Sequence, residues 1–255
     1  MNTAEEKMFL ILKELKDKNK ELIVKADFEA EGTRIFELAS LAKLVFRAGG
    51  KLFIKIAGAE AILDLEISKA FGADGIMVPM VETAYYLKKF KFAAKKVFGD
   101  EIEKIDWIIN TETKMCVENI EEILKEGRGF LKGVTIGRVD LCSSVGLERK
   151  DIDCLEILEL TKILAEKAYK KGFLVSVGGG ILKTSFSILS EIKQYLNRYE
   201  TRKFIFNFDG DLKKFEKNIE KATEFELLFL ENKSLRYSKM AKEDLKRIEF
   251  LKERL

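Results

Sequence analysis

Short apolar runs alternate with amphipathic stretches along most of the chain. Seven runs have the length and composition of buried strands, and they begin near residues 22, 52, 75, 106, 133, 173 and 202. The stretches between them carry apolar residues at helical spacing, and several end at a glycine such as Gly49, Gly72 or Gly172. This alternation predicts an α/β protein in which helices surround a sheet of parallel strands.

The predicted fold is a TIM (β/α)8-type parallel barrel over residues 1–210, followed by extra C-terminal helices over residues 211–255. A closed barrel needs an eighth strand, so either the first helix replaces one or a strand escapes recognition. An open Rossmann-like sheet is the competing architecture. It would place a Gly-x-Gly-x-x-Gly turn after its first strand, and the sequence has none there.

The end of the chain has a less regular pattern. A helix is predicted from about residue 184 to residue 198, and the last strand from residue 202 to residue 208. Residues 211–255 are predicted to be helical, with a break at residues 232–234. Their apolar positions exceed what one barrel helix requires, so we expect them to pack on the same barrel or on another subunit. These positions include Phe225, Leu227, Leu228, Leu230, Leu245, Ile248, Phe250 and Leu251.

Two apolar runs end abruptly in an acidic residue. Residues 107–111 lead into Glu112, and residues 134–139 lead into Asp140, with a helix predicted between the runs over about residues 117–126. Strands joined in this way are parallel neighbours, so both carboxylates should lie at one rim. A hard divalent cation would remove their repulsion. We therefore predict a Mg²⁺ or Mn²⁺ site, although either residue alone also suits a helix start.

Further rim residues carry charge. Lys55 lies inside an apolar strand, where a lysine is costly unless it is paired. It either faces a substrate carboxylate or enolate, or forms a structural ion pair with a carboxylate such as Asp27 or Glu29. Glu29 or Glu31 is the candidate catalytic base, and a solvated loop charge is the alternative for each.

Two features of the sequence are candidates for binding an anion. Gly178, Gly179 and Gly180 follow a strand and precede a helix, a position where backbone N–H groups bind phosphate or carboxylate in barrels. A tight turn would also need these glycines. Arg138 either clamps a carboxylate or phosphate or pairs with Glu112.

Composition excludes several classes of function. The 255 residues include no histidine, which excludes a Ser-His-Asp triad, a Cys-His pair and a His-ligated zinc. Because 46 basic residues offset 43 acidic ones, a nucleic-acid partner is not expected. No apolar run is long enough for a membrane span. The first residues lack a signal-peptide pattern and the three cysteines lack metal-ligand spacing, so we expect a cytoplasmic protein with reduced thiols.

The order of motifs resembles the HpcH/HpaI aldolase and citrate lyase beta-subunit family, from about Leu22 to Phe208. The most specific pieces are residues 109–113, residues 136–141 with Ser143, Ser144 and Gly146 after them, and residues 72–83. The resemblance implies a phosphoenolpyruvate/pyruvate-type barrel in which Glu112 and Asp140 hold Mg²⁺ or a similar ion. In that family the ion binds an oxo acid and stabilises the enolate formed when a carbon–carbon bond is made or broken.

The resemblance also implies substrate contacts and assembly. The backbone N–H groups of Arg138 and Val139 are expected to hold the substrate carboxylate, and Pro79, Gly178 and Gly179 complete the predicted substrate-binding set. Homo-oligomers are usual in the family, often through the C-terminal helices, so a homo-oligomer is expected here.

Two residues depart from the family pattern. Lys55 stands where the aldolases usually have an arginine, and it lacks the planar fork of that side chain. Ala30 stands where they usually place a histidine base. We therefore expect a metal-dependent carbon–carbon lyase acting on a small 2-oxo acid or acyl-type substrate, with Lys55 stabilising the enolate and Glu29, Glu31 or metal-bound water moving the proton. The alternatives are a degenerate barrel that serves as a binding or regulatory protein and a related metal enzyme acting on a phosphorylated substrate.

Overall fold

The computed structural model describes residues 2–252, apart from the side chains of residues 247–251. In this part of the chain eight strands close into a barrel in chain order. The strands are β1 (Ile23–Asp27), β2 (Lys51–Lys55), β3 (Gly75–Val78), β4 (Asp106–Thr111), β5 (Gly133–Gly137), β6 (Leu174–Gly178), β7 (Arg198–Glu200) and β8 (Phe204–Asn207). The α/β barrel predicted from the sequence is confirmed.

Helices surround the barrel and connect its strands. They are α1 (Thr3–Lys18), α2 (Ile35–Arg47), α3 (Ile62–Ala70), α4 (Ala84–Phe98), α5 (Lys114–Gly127), α6 (Arg138–Ser144), α7 (Leu155–Lys170), α8 (Phe186–Glu191) and α9 (Leu212–Lys252). Within the described residues, every helix falls short of the combined length and apolar character needed to cross a membrane.

The last strand runs against the others. Strands β1 to β7 are parallel, whereas β8 is antiparallel to both β7 and β1. Only residues 201–203 connect β7 to β8. So short a connection can make a hairpin but cannot hold the crossover that parallel strands require. The barrel thus closes through a hairpin, and the hairpin turn lies at the same rim as the carboxyl ends of the parallel strands.

The eighth strand lies where the sequence predicted a helix. The predicted helix over residues 184–198 is wrong in its second half, because α8 ends at Glu191 and β7 begins at Arg198. The predicted last strand also begins later, at Phe204. Since β7 has only three residues, it is too short to show an alternating pattern, and its pairing with β6 and β8 defines it.

Asp140 does not lie at the end of a strand. Strand β5 ends at Gly137, and Asp140 belongs to the first turn of α6. Val139 and Leu141 are apolar and extend the strand-like pattern of the sequence beyond Gly137, but they belong to the helix. The carboxylate still lies at the carboxyl-end rim.

The C-terminal segment is one continuous helix, and the break predicted at residues 232–234 is wrong. One face of α9 packs beside α1, and its buried apolar side chains are Phe215, Ile219, Ala222, Phe225 and Phe229. Asn232 bonds to Asn2 at 2.8 Å, and Lys233 lies 3.3 Å from Glu37. The polar residues that suggested a helix end are therefore contacts between helices.

Beyond this contact the helix continues away from the barrel. Every residue from 238 to 246 is exposed. The side chains of Ile248, Phe250 and Leu251, which the sequence counted among the apolar positions, lie outside the described residues, as do residues 253–255.

The lower half of the barrel is filled with apolar side chains. Ile23, Phe53, Met77, Ile108 and Ile205 form a closed cluster inside the strands. Polar side chains replace them toward the carboxyl ends, and there the barrel opens into a cavity. Filling of the interior by side chains is the rule in barrels of this size, and it leaves the carboxyl-end rim for function.

Candidate active site

The predicted rim residues meet at one cavity. It has a volume of about 610 Å³ and lies at the carboxyl ends of the parallel strands. Glu112 follows β4 and Asp140 lies in α6, while Lys55 and Gly178 are the last residues of their strands; all four line this cavity. The structure therefore brings together the two carboxylates, the lysine and the glycine turn of the sequence prediction.

Glu112 is the most enclosed of these groups, with only 2% of its side chain exposed. Its Oε1 accepts a hydrogen bond from the Met80 N–H at 3.0 Å, and its Oε2 accepts one from Asn110 Nδ2 at 3.1 Å. Burial raises the pKa of the Glu112 carboxyl above its ordinary value, and the charge of Asp140 adds to the increase, although Lys55 opposes it.

Met80 and Gly137 shape the surroundings of Glu112. Met80 has a φ of 54°, in the left-handed region that residues with side chains rarely adopt, and this conformation accompanies the bond from its N–H to Glu112. Gly137 lies so close that an added Cβ would be 2.3 Å from Glu112 Oε2 and 2.9 Å from Glu112 Cβ. Pro79, a predicted substrate contact, is buried directly after β3 and immediately precedes Met80.

Lys55 connects Glu112 to the early rim. Its Nζ lies 2.5 Å from Glu29 Oε2 and 4.0 Å from Glu112 Oε1. Burial works against the ammonium, but the carboxylates of Glu112 and Glu29 outweigh it and raise the pKa of Lys55 above its ordinary value. The structural ion pair of Lys55 with Glu29, one of the two alternatives predicted for this lysine, is present. The Lys55 side chain also lines the cavity.

The two candidate bases differ in their partners. Glu29 contacts Lys55, whereas Glu31 bonds to the buried Lys203 and lies 3.7 Å from Arg202. Glu31 is therefore committed to the hairpin between β7 and β8. Glu29 instead contacts Lys55, the lysine that lies 4.0 Å from Glu112.

The glycine turn packs against the start of α6. A Cβ on Gly179 would lie 2.8 Å from the Val139 backbone nitrogen and 2.9 Å from that of Arg138, and the φ of Gly179 is +80°. The Arg138 guanidinium is buried and donates to Asp153 Oδ1 at 2.7 Å and to the Gly179 carbonyl at 3.1 Å. The alternative in which Arg138 pairs with Glu112 is therefore wrong. Its side chain fixes the turn, and Val139 lines the cavity.

A buried ion pair that the sequence did not predict lies deeper in the cavity. Lys25 Nζ is 2.6 Å from Glu200 Oε2, and Thr135 Oγ1 donates to Glu200 Oε1 at 2.6 Å. Burial alone would raise the pKa of Glu200, but Lys25 and Thr135 outweigh it and hold that pKa below its ordinary value. Glu200 lies on the unrecognised strand β7, so no local pattern indicated the pair.

The oxygen donors around Glu112 decide which metal ion this cavity could hold. Among the described residues no group of three or more His, Cys, Asp or Glu side chains could hold a metal ion. Glu112 and Asp140 nevertheless line one cavity, and Asn110 Oδ1 is buried there without a hydrogen-bond partner. Oxygen donors of this kind suit Mg²⁺, which often takes only one or two carboxylates and completes its shell with water and substrate. These residues therefore fit a hard divalent cation.

Solved structures share this fold. An HpcH/HpaI aldolase from Desulfitobacterium hafniense DCB-2 is similar with a TM-score of 0.62 and 15% identity, over 75% of this chain and 80% of that one. An HpcH/HpaI aldolase/citrate lyase family protein from Burkholderia cenocepacia J2315 has a TM-score of 0.59 and 14% identity, over 74% and 82% of the two chains. RipC from Yersinia pestis has a TM-score of 0.54 and 12% identity, over 81% and 88%. At such identities the likeness concerns the fold.

The sequence itself carries the family assignment. No curated protein sequence matches the chain significantly. A family model described as HpcH/HpaI aldolase/citrate lyase matches residues 40–177, which is more than half of the chain and includes Lys55, Glu112 and Asp140. The chain therefore belongs to the HpcH/HpaI aldolase/citrate lyase family, a family of lyases.

Proposed function

We propose that the protein is a metal-dependent carbon–carbon lyase acting on a 2-oxo acid or acyl-type substrate. The observation that carries the proposal is the meeting of Glu112, Asp140 and the Lys55 ammonium at one cavity in a chain of a lyase family. Glu112 and Asp140 would hold Mg²⁺ or Mn²⁺. When bound, the ion would act as a Lewis acid that polarises the substrate carbonyl.

The side chains of the cavity have complementary roles in this proposal. Lys55 stays protonated and places its ammonium where negative charge develops on the substrate oxygen. Glu29 contacts Lys55 and is the side chain that takes and returns the proton, since Ala30 has no proton to exchange. The backbone N–H groups of Arg138 and Val139 begin α6, lack partners within the helix and hold the substrate carboxylate.

Calorimetry tests the proposal. Mg²⁺ and Mn²⁺ are titrated into metal-free protein with and without oxalate, an enolate mimic. We expect binding that tightens with oxalate in the wild type and is lost in Glu112→Gln and Asp140→Asn. Glu159→Gln, which removes an exposed carboxylate on α7, is the matched control and should behave as wild type. If all four proteins behave alike, the proposal fails.

The binding or regulatory alternative is favoured by one observation, the alanine at position 30. A screen of 4-hydroxy-2-oxo acids for release of pyruvate separates it from the lyase. Metal-dependent oxalate binding without turnover of any such acid would exclude an aldolase of this kind and leave the binding protein or a lyase of acyl-type substrates.

We also propose that the protein forms homo-oligomers. The proposal is supported by the end of α9, because no described residue covers residues 238–246 and the apolar side chains of Met240 and Leu245 are exposed there. Most helical stability in proteins comes from packing of an apolar face, and a second copy of the chain would supply that packing here. Sedimentation equilibrium of the full chain tests this, and a monomer at every concentration would contradict it.

A further inference from the structure

Helix α4 differs in charge from the other long helices around the barrel. Its 15 residues include five lysines and no acidic residue. By contrast, α1, α2, α5, α7 and α9 each carry both signs of charge, as is usual for a helix face that water covers. Helix α4 therefore presents a wholly basic surface on one side of the barrel.

The outward face of α4 has aromatic side chains along its centre. Tyr85 and Phe92 are each 70% exposed. They are seven residues apart, which is close to two turns of helix, so their rings lie on one line and roughly 10 Å from each other. The opposite face packs into the core through residues such as Leu87, Phe90 and Ala94. Helix α4 thus has apolar side chains on two faces, and only one of them is covered.

Lysines flank this aromatic line on both sides. Because successive residues of a helix are about 100° apart, Lys88 and Lys95 fall on one side of the line and Lys96 on the other. All three are exposed, and among the described side chains no carboxylate forms a salt bridge with them. The other two lysines of α4 do have carboxylate partners, at 2.8 Å and 2.7 Å. The positive charge that remains uncompensated on α4 therefore surrounds the exposed rings.

An anionic lipid surface matches this arrangement better than a protein partner does. Aromatic rings lie favourably in the headgroup layer of a membrane, and lysines beside them reach the phosphates with flexible stems. Protein interfaces are depleted in lysine and favour arginine, whose planar fork fixes the position of its partner. Helix α4 has no arginine. A lysine ammonium is a point charge that needs no fixed partner, which suits a fluid layer of headgroups.

We propose that the outward face of α4 binds an anionic lipid surface. Tyr85 and Phe92 enter the headgroup layer, while Lys88, Lys95 and Lys96 contact the lipid phosphates. None of these five side chains lines the cavity at the rim, so lipid binding and ligand binding in the cavity are separable. The inference goes beyond the proposed function and does not depend on it.

Vesicle co-sedimentation of the full chain tests the proposal. One set of vesicles contains phosphatidylcholine alone, and the other contains equal parts of phosphatidylcholine and phosphatidylglycerol. We expect binding to the anionic vesicles only. This binding should weaken when the salt concentration rises from about 0.1 M to about 1 M, because the screening length falls from about 10 Å to about 3 Å.

Combined variants locate the contact on α4. Each ammonium near an anionic surface tightens binding about fivefold, so Lys88→Gln/Lys95→Gln/Lys96→Gln should weaken lipid binding on the order of 100-fold. Tyr85→Gln/Phe92→Gln should weaken it roughly tenfold and leave its salt dependence unchanged.

A triple variant at α1 is the matched control. Lys7 and Lys13 of α1 and Lys20 just after it are exposed and form no salt bridge with a described carboxylate. Lys7→Gln/Lys13→Gln/Lys20→Gln therefore removes the same net charge and should keep most of the lipid affinity. The variants at α1 and α4 should all bind oxalate with Mg²⁺ as the wild type does, which separates this test from that of the proposed function.

Three outcomes overturn the proposal. The first is the absence of binding to anionic vesicles at low salt, which would leave an acidic protein as the partner of this face. The second is equal binding to both kinds of vesicle. The third is an equal loss of lipid affinity in the two triple variants, which would show that net charge acts without any specific contact through α4.

Discussion

The two sides of the barrel rim use carboxylates in different ways. On the side of β4 and β5, Glu112 and Asp140 share a cavity, and the only ammonium close to Glu112 among the described residues is 4.0 Å away. On the side of β7 and β8, Glu200 is held by Lys25 and Glu31 is held by Lys203. The first pair is open to a ligand, whereas the second pair already has its counter-charges.

The family model covers the β4–β5 side of the rim and leaves out the β7–β8 side. It matches residues 40–177, which cover β2 to β6 almost entirely, and it ends before the hairpin that closes the barrel. Glu112 and Asp140 on the β4–β5 side therefore lie inside the segment that matches the family, while Glu200 and Lys203 on the hairpin side lie outside it. Variants on the two sides should therefore fail in different assays.

The largest effect is expected for Glu200→Gln. This variant leaves the Lys25 ammonium in the barrel without its carboxylate, and breaking a buried pair costs about 3 kcal/mol of unfolding free energy. Urea denaturation measures the loss. The exposed pair of Lys170 with Glu166 is the control, because solvent screens it and Lys170→Gln should leave the unfolding free energy almost unchanged. Equal losses in the two variants would contradict the structural role of the buried pair.

The second-largest effect is expected for Gly137→Ala, on the β4–β5 side of the rim, and it concerns ligand affinity. In Gly137→Ala the new methyl group would meet the Glu112 carboxylate at 2.3 Å, and Glu112 must move. Because misplacement by about 1 Å can cost a factor on the order of 100, we expect oxalate affinity in the presence of Mg²⁺ to fall by about that factor. Gly58→Ala is the matched control, since the nearest atom to its Cβ is 3.7 Å away. Unchanged oxalate affinity in Gly137→Ala would show that Glu112 does not contribute to the oxalate site.

The pH dependence of stability should report on Glu200. Its pKa is lowered in the folded protein, so the ionised pair contributes stability above the unfolded-state pKa of about 4.3 and loses it as the pH falls through the folded-state value. The stability difference between wild type and Glu200→Gln should therefore be constant near neutral pH and narrow in acid. Denaturation curves between neutral pH and the acid limit of folding measure it, and parallel pH profiles would disprove the assignment.

The smallest effect is expected at Met80, whose backbone rather than side chain supports Glu112. In Met80→Gly the relief of a left-handed conformation and the added freedom of the unfolded chain offset each other, so the unfolding free energy should change by less than about 1 kcal/mol and oxalate should bind as before. Met80→Val, with a β-branched side chain at the same φ, should lower both stability and oxalate affinity. Loss of oxalate binding in Met80→Gly would show that the methionine side chain itself is needed.

The sequence by itself determined the parts that depend on local pattern. Buried parallel strands are long apolar runs, so strand and helix alternation and the order of the first six strands were readable. The end of β4 at an acidic residue placed Glu112, and the connecting helix α5 put Asp140 on the same rim, even though Asp140 lies in a helix. The missing histidine and the lysine at position 55 were likewise visible in the chain.

Only the tertiary structure decided the rest. Strand β7 has three residues, and nothing in so short a segment distinguishes a strand from the end of a helix until β6 and β8 pair with it. The partners of Arg138, Glu31 and Glu200 lie far away in sequence or across the barrel, and a charged side chain selects its partner by distance and burial in the folded chain. Local sequence carries the periodicity of an element, but long-range contacts choose which charges are neutralised and which remain for a ligand.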